Sequence, residues 1–268
     1  MLLLPQIIWR SALQKFPNHH QHHLSEVFVL PEYDPYKYGS FAVNAADVAY
    51  RLTVQIQKQI TALGKKNLLD RVPPILAFSS IVDATVLAPA LIRNLFDRLP
   101  EGGHELILFD VNRVAQMAPI IKWNSDAFDS VLQSNPDWKF TLGLVTNSSP
   151  DTLDVLLSLK KPGESGSVET DLGLSWPRGV YSLSHVALPF PVDDPLYGSE
   201  DHLRSPGIIQ IGNVAMRGEK GALRIPAAEM LRQRWNPFFP FVVETTLNFL
   251  KLQDAASQDL YPSKEVTP

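Results

Sequence analysis

The stretch from residue 74 to residue 109 constrains the fold more than any other part of the chain. Residues 74–78 and 104–109 are short and largely apolar, as expected of strands that are buried on both faces of a sheet. Between them lie a polar segment, a predicted helix over 89–99 and a break at 100–103. A strand, a helix and a second strand in this order predict a βαβ unit, and therefore a parallel sheet in an α/β protein.

Further elements follow from the apolar periodicity of the rest of the chain. A helix is predicted over 44–63, where Val48, Leu52, Ile56 and Ile60 recur at four-residue intervals. The remaining predictions are helices over 2–16, 152–159 and 238–250, strands over 140–145 and 180–183, a flexible loop over 163–166 and a polar, disordered tail after Gln253.

Composition excludes several classes of function. The 268 residues carry a net charge of −4, which provides no basic surface for nucleic acid. No cysteine is present, so disulfides, thiolate chemistry and thiolate zinc sites are excluded. The apolar start over residues 1–8 is too short to span a bilayer and lacks the features of a signal peptide. We therefore expect no transmembrane segment and a cytoplasmic location.

Four histidines lie close together near the start of the chain: His19, His20, His22 and His23. Such a cluster could bind a transition metal weakly. No Asp or Cys accompanies it, and nothing in the sequence would orient the rings. We interpret the segment as a solvated loop and predict no metal site.

Asp83 and His185 are the first candidates for chemistry. Each follows a predicted buried strand, and parallel sheets carry their functional groups in such loops. A carboxylate can orient a histidine, and a histidine can act as a general base near neutral pH. Position alone leaves a second interpretation for each residue. Asp83 would cap the following helix, and His185 would be a surface histidine bonded to the backbone.

A second group follows the strand that ends at Phe109. Asp110, Asn112 and Arg113 could line the same cleft and bind substrate. In the alternative interpretation, Asp110 and Arg113 form an ion pair that only supports the structure.

Several blocks of the sequence, in this order, resemble bacterial α/β-hydrolases of the serine aminopeptidase-like and lysophospholipase-like branch. They are residues 31–41, 78–86, 103–113, 182–191, 223–226 and 236–239. The resemblance implies an α/β-hydrolase sheet with flanking helices and hydrolysis of a small-molecule or lipid carboxylic ester without a cofactor. It also implies that Asp83 is the acid and His185 the general base of a Ser-His-Asp triad.

One part of the hydrolase pattern is absent from the sequence. The nucleophile elbow Gly-x-Ser-x-Gly does not occur, so no serine of this chain is assigned as the nucleophile. We therefore expect the carboxyl-terminal part of such a hydrolase, without its N-terminal strands and inactive alone. Residues 1–70 would end a cap or connecting segment, 71–252 would belong to the hydrolase domain, and 253–268 would form the tail. The alternative is a non-catalytic chain that acts at most as an interaction module.

Overall fold

The computed structural model describes residues 43–83, 86–122, 137–183, 190–195, 198–199, 217–218, 221–225 and 235–260. The chain divides into two compact units, Met1–Gln59 and Ile60–Pro268. Helix α1 (Val43–Lys65) confirms the helix predicted over 44–63. Its residues Val48, Leu52 and Ile56 are exposed, whereas Ile60, which belongs to the second unit, is buried. The helix predicted over 2–16 and the histidine loop lie outside the described residues.

The second unit contains a five-stranded mixed sheet. Its strands are β1 (Leu76–Ser80), β2 (Glu105–Phe109), β3 (Thr141–Asn147), β4 (Asp154–Lys160) and β5 (Val168–Ser175). They lie side by side in the order β1-β2-β3-β4-β5. The first three strands are parallel, and β3, β4 and β5 are successively antiparallel. This sheet, which is parallel only at its start, and the described helices are compatible with an α/β protein.

The predicted βαβ unit is confirmed. Helix α2 (Ala88–Asn94) and a one-turn 3-10 helix (Phe96–Arg98) connect the parallel strands β1 and β2. Pro89 lies in the first turn of α2, where the missing N–H removes no intrahelical hydrogen bond. The strand predicted over 140–145 is also present, as β3.

The helix predicted over 152–159 is wrong, because this segment forms strand β4. Val155, Leu157 and Leu159 alternate along it and pack into one side of the core, which is the period of a strand. The predicted loop over 163–166 is the turn between β4 and the antiparallel β5. Pairing with β3 on one side and β5 on the other outweighs the local preference of a leucine-rich run for helix.

Two smaller predictions also need correction. Residues 180–183 form no strand, although Val180 makes a single parallel bridge with Arg217. Helix α3 (Phe239–Leu260) includes the first residues of the predicted disordered tail. Within the described part of the chain, we find no helix whose length and hydropathy would let it cross a membrane.

The sheet is covered on both faces by separate apolar clusters. On one face, Leu106 and Leu108 of β2 pack with Ile92 and Phe96 from the β1–β2 connection. On the other face, the alternate residues of β2 pack with the start of α3 and with a buried tryptophan. The members of this second cluster include Ile107, Phe109, Val145, Trp176, Leu183 and Phe238. A strand buried on both faces explains why residues 106–109 are all apolar.

His104 is the buried polar residue at the amino end of β2. The residue is 2% exposed, and the backbone N–H of Ile75 donates to its Nδ1 at 3.1 Å. An Nδ1 that accepts a hydrogen bond carries no proton, so the ring is neutral with its proton on Nε2. Burial lowers the pKa of His104 from its ordinary value of 6.5.

The free energy of unfolding should therefore depend on the protonation of His104. As the pH falls below about 6.5, the unfolded chain takes up a proton at this histidine more readily than the folded chain, whose His104 pKa is lowered by burial, so the folded state loses stability. We expect His104→Asn, whose Oδ1 can accept the same bond, to lose less stability than the wild type between pH 7.5 and 5.5. Urea unfolding of both proteins at each pH measures this.

The six other histidines are shared by the two proteins and cancel in the comparison. An identical loss of stability on acidification in both proteins would show that His104 does not titrate differently in the folded state.

Candidate functional site

The carboxyl ends of the three parallel strands form the candidate site. Ser80 of β1 is in register with Phe109 of β2, and Phe109 is in register with Val145 of β3. Residues that follow these positions therefore leave the sheet at one common edge. In open α/β sheets, this edge is where loops bind ligands and carry catalytic groups. Two groups that the sequence predicts as site residues come after strands that end at this edge. Asp83 comes after β1, and Asp110, Asn112 and Arg113 come after β2.

Asp83 lies in the loop that leaves β1. Its backbone N–H donates to Ser80 O at 3.1 Å, and its Oδ1 accepts from the backbone N–H of Val86 at 2.9 Å. Helix α2 begins only at Ala88, and its N-cap position is Leu87, which makes no side-chain cap. The carboxylate therefore bonds the backbone of Val86, before the helix begins, instead of capping the helix itself.

Asp110 is held at the same edge by four donors. Its carboxylate accepts from the backbone N–H of Val111 at 2.7 Å, from Thr146 Oγ1 at 2.9 Å, and from Nε and Nη2 of Arg113. The Asp110 side chain is 2% exposed and that of Arg113 is 34% exposed. The ion pair of the alternative interpretation is thus present, and its bidentate geometry compensates the burial of the carboxylate.

Asn112 connects the loop after β2 to two other segments. Its Oδ1 accepts from Asn147 Nδ2 at 3.1 Å, which ties it to the end of β3. Its backbone N–H donates to Tyr181 O at 2.9 Å, and its Nδ2 donates to Val180 O at 3.2 Å. Residues 180–183 therefore run past the carboxyl edge of the sheet. Leu183, which packs in the same core cluster as Phe109, is the last described residue before residue 190.

His185 lies outside the described residues, two positions after Leu183. The structure thus brings together Asp83, Asp110, Asn112 and Arg113 at one edge, with the segment that leads to His185 bonded there through Asn112.

The polar side chains at this edge differ in what they can do. Asp110 and Asn112 are buried and hydrogen-bonded to their neighbours, so they order the loop after β2. Arg113 is the member of this group with an accessible guanidinium, which can bind a carboxylate or phosphate in addition to Asp110. Asp83 is half-buried in a separate loop. The edge therefore combines two buried, hydrogen-bonded side chains, Asp110 and Asn112, with two charged side chains nearer to solvent, Asp83 and Arg113.

Thr146 and Asn147, at the end of β3, are parts of the site that the sequence analysis missed. Thr146 supports Asp110, and Asn147 Oδ1 accepts from the backbone N–H of Arg113 at 2.8 Å. A signal was available, because these polar residues follow a buried strand in the same way as Asp110 does. Among the residues described, no three His, Asp or Glu side chains are grouped so that they could hold a metal ion.

Comparison with known proteins identifies no relative: no protein-family model, no curated protein and no solved structure matches this chain. A proposal for its function therefore depends on the geometry of this edge and on the sequence resemblance.

The bonds of the Asp110 carboxylate predict how much the removal of Arg113 lowers the free energy of unfolding. In Arg113→Met the buried carboxylate of Asp110 loses its cation and two donors, so we expect the free energy of unfolding to fall by about 2 kcal/mol. Arg51→Met, which removes an exposed partner of Asp47, should cost less than about 0.5 kcal/mol. Urea unfolding at pH 7.5 measures both. Equal small effects would show that the Arg113–Asp110 pair is not a stabilising part of the site.

Proposed function

We propose that this chain is the carboxyl-terminal part of an α/β-hydrolase of the Ser-His-Asp type that cleaves carboxylic esters. The substrates would be small-molecule or lipid esters such as lysophospholipids or monoacylglycerols. Asp83 is the triad acid and His185 the general base. The serine is contributed by polypeptide outside these 268 residues, since the sequence contains no nucleophile elbow.

One observation carries the proposal: the segment that leads to His185 is hydrogen-bonded at the sheet edge that Asp83 follows. Asn112, three residues after the end of β2, bonds the backbone of Val180 and Tyr181. Asp83 follows the end of β1, the strand next to β2. Although 102 residues separate Asp83 and His185 in the sequence (185 − 83), this arrangement supports their meeting at one edge.

In the proposed reaction, His185 accepts the proton of the serine hydroxyl as its oxygen attacks the ester carbonyl. The same proton then passes to the leaving alcohol, and the acyl group remains on the serine. Water, activated by His185 in the same way, releases the acid and restores the serine. Asp83 orients the ring and stabilises the imidazolium that forms in each step. No cofactor is needed.

We also propose that Arg113 binds the substrate. Asp110 and Asn112, which the sequence analysis grouped with it, are buried and bonded to their neighbours. Their proposed contribution is to hold the loop that presents Arg113. The partly exposed guanidinium can pair with the phosphate of a lysophospholipid, which a neutral acylglycerol lacks.

The reaction is tested by expressing the chain together with the in-frame coding sequence upstream of Met1 and measuring hydrolysis of p-nitrophenyl butyrate. We expect a Gly-x-Ser-x-Gly motif in that region and ester hydrolysis by the extended chain, whereas the 268 residues alone are inactive. Asp83→Asn should lower kcat about 10³–10⁴-fold, because the histidine loses its orienting carboxylate.

Asp97→Asn is the matched control. Asp97 lies in the one-turn 3-10 helix between α2 and β2, away from the carboxyl ends of the strands, and the exchange should leave kcat unchanged. Equal activities of Asp83→Asn and Asp97→Asn would contradict the role of Asp83. Stop codons upstream with no such motif would favour the non-catalytic alternative.

A further inference from the structure

Asn147, the last residue of β3, has a side-chain amide that is bonded to three other residues. Its Oδ1 accepts from the backbone N–H of Arg113 at 2.8 Å. Its Nδ2 donates to Thr152 O at 2.9 Å and to Asn112 Oδ1 at 3.1 Å. The reversed amide would set its Nδ2 against the N–H of Arg113 and its Oδ1 against Thr152 O. The backbone on either side therefore fixes the direction in which this amide points.

A role confined to the turn between β3 and β4 explains one of these bonds. The bond to Thr152 O closes that turn, five residues after Asn147. The other two bonds leave the turn and reach Arg113 and Asn112, which lie 34 and 35 residues earlier in the chain. Asn147 thus connects the end of β3 to the loop that follows β2.

The orientation of the Asn112 amide depends on Asn147. Asn112 Oδ1 accepts from Asn147 Nδ2, and also from the backbone N–H of Val114 at the longer distance of 3.3 Å. Its Nδ2 is then directed at Val180 O, to which it donates at 3.2 Å. A reversed Asn112 amide would set two acceptors, its own Oδ1 and Val180 O, against each other, and this bond would be lost. The direction of the first amide therefore determines whether the second can hold Val180.

We infer that Asn147 is a positioning residue for the proposed reaction. It fixes the amide of Asn112 so that residues 180–181 stay at the carboxyl ends of β2 and β3. The hydrogen-bonded part of this inference stands on the geometry alone. Its consequence for catalysis rests on the proposed function, because the segment that Asn147 holds is the one that leads to His185.

Two substitutions separate this role from a simple loss of hydrogen bonds. Asn147→Asp keeps the acceptor for Arg113 and loses both donors, and its second carboxylate oxygen repels Asn112 Oδ1. The Asn112 amide should then reverse and release Val180. Asn147→Ala loses all three bonds, but the N–H of Val114 still holds Asn112 in its present orientation.

Hydrogen exchange at the backbone amide of Asn112 measures the effect, because this amide donates to Tyr181 O at 2.9 Å. It is followed by NMR in the 268-residue chain and corrected for the change in the free energy of unfolding, which urea unfolding gives. We expect Asn147→Asp to speed this exchange at least about tenfold, and more than Asn147→Ala does. Loss of bonds alone would give the reverse order.

Ile92→Val is the matched control, since it removes one methyl group from the core cluster that α2 forms with β2. It should speed exchange at Asn112 only as far as its loss of overall stability requires.

The consequence for catalysis is measured in the extended chain with p-nitrophenyl butyrate. Asn147→Asp should lower kcat about tenfold and leave KM unchanged, because this ester has no phosphate for Arg113 to bind. Ile92→Val should leave kcat unchanged.

Two results would overturn the inference. One is exchange at Asn112 that is no faster in Asn147→Asp than in Asn147→Ala. The other is an unchanged kcat in a variant whose Asn112 amide has lost its protection. An inactive extended wild-type chain would remove the proposed function alone, since the order of exchange rates at Asn112 does not depend on a serine nucleophile.

Discussion

Strand β2 is buried along both of its faces, and the packing of the other elements follows from that burial. Leu106 and Leu108 point to one cluster, and Ile107 and Phe109 point to the other. Such a strand can satisfy its backbone only by pairing on both sides, with β1 and with β3. It can bury its side chains only if both sheet faces are covered. The residue directly after this strand is polar and lies at the edge of the sheet where the strand ends.

That polar residue is Asp110, and its surroundings explain why the edge is ordered. A buried carboxylate is tolerated only with partners, and Asp110 has them in Arg113, Thr146 and the backbone of Val111. Asn112 then extends the network to residues 180–181, which lie far along the chain. The loop that carries Asp110 thus also anchors a distant segment, at the carboxyl ends of β2 and β3. The proposed meeting of Asp83 and His185 depends on this anchor.

The parallel part of the sheet could be predicted from the sequence because its signals are local. Apolar runs, a Pro-initiated helix and a glycine break suffice to define β1, α2 and β2. The antiparallel part could not, since residues 152–159 are compatible with helix or strand until β3 and β5 offer backbone partners. At the site, Asp110 and Arg113 were expected from their position after a strand. The support from Thr146 and Asn147 depends on β3 lying next to β2, which spacing does not specify.

The central claim is that the side chains at positions 83 and 185 face each other, and the absence of cysteine from the chain allows a direct measurement. The double variant Asp83→Cys, His185→Cys can be treated with dibromobimane, a short thiol cross-linker that fluoresces only after it has joined two thiols. We expect rapid cross-linking of this pair and none for Asp97→Cys with His185→Cys. Absence of a cross-link in the first variant, with both thiols shown to react singly, would contradict the account.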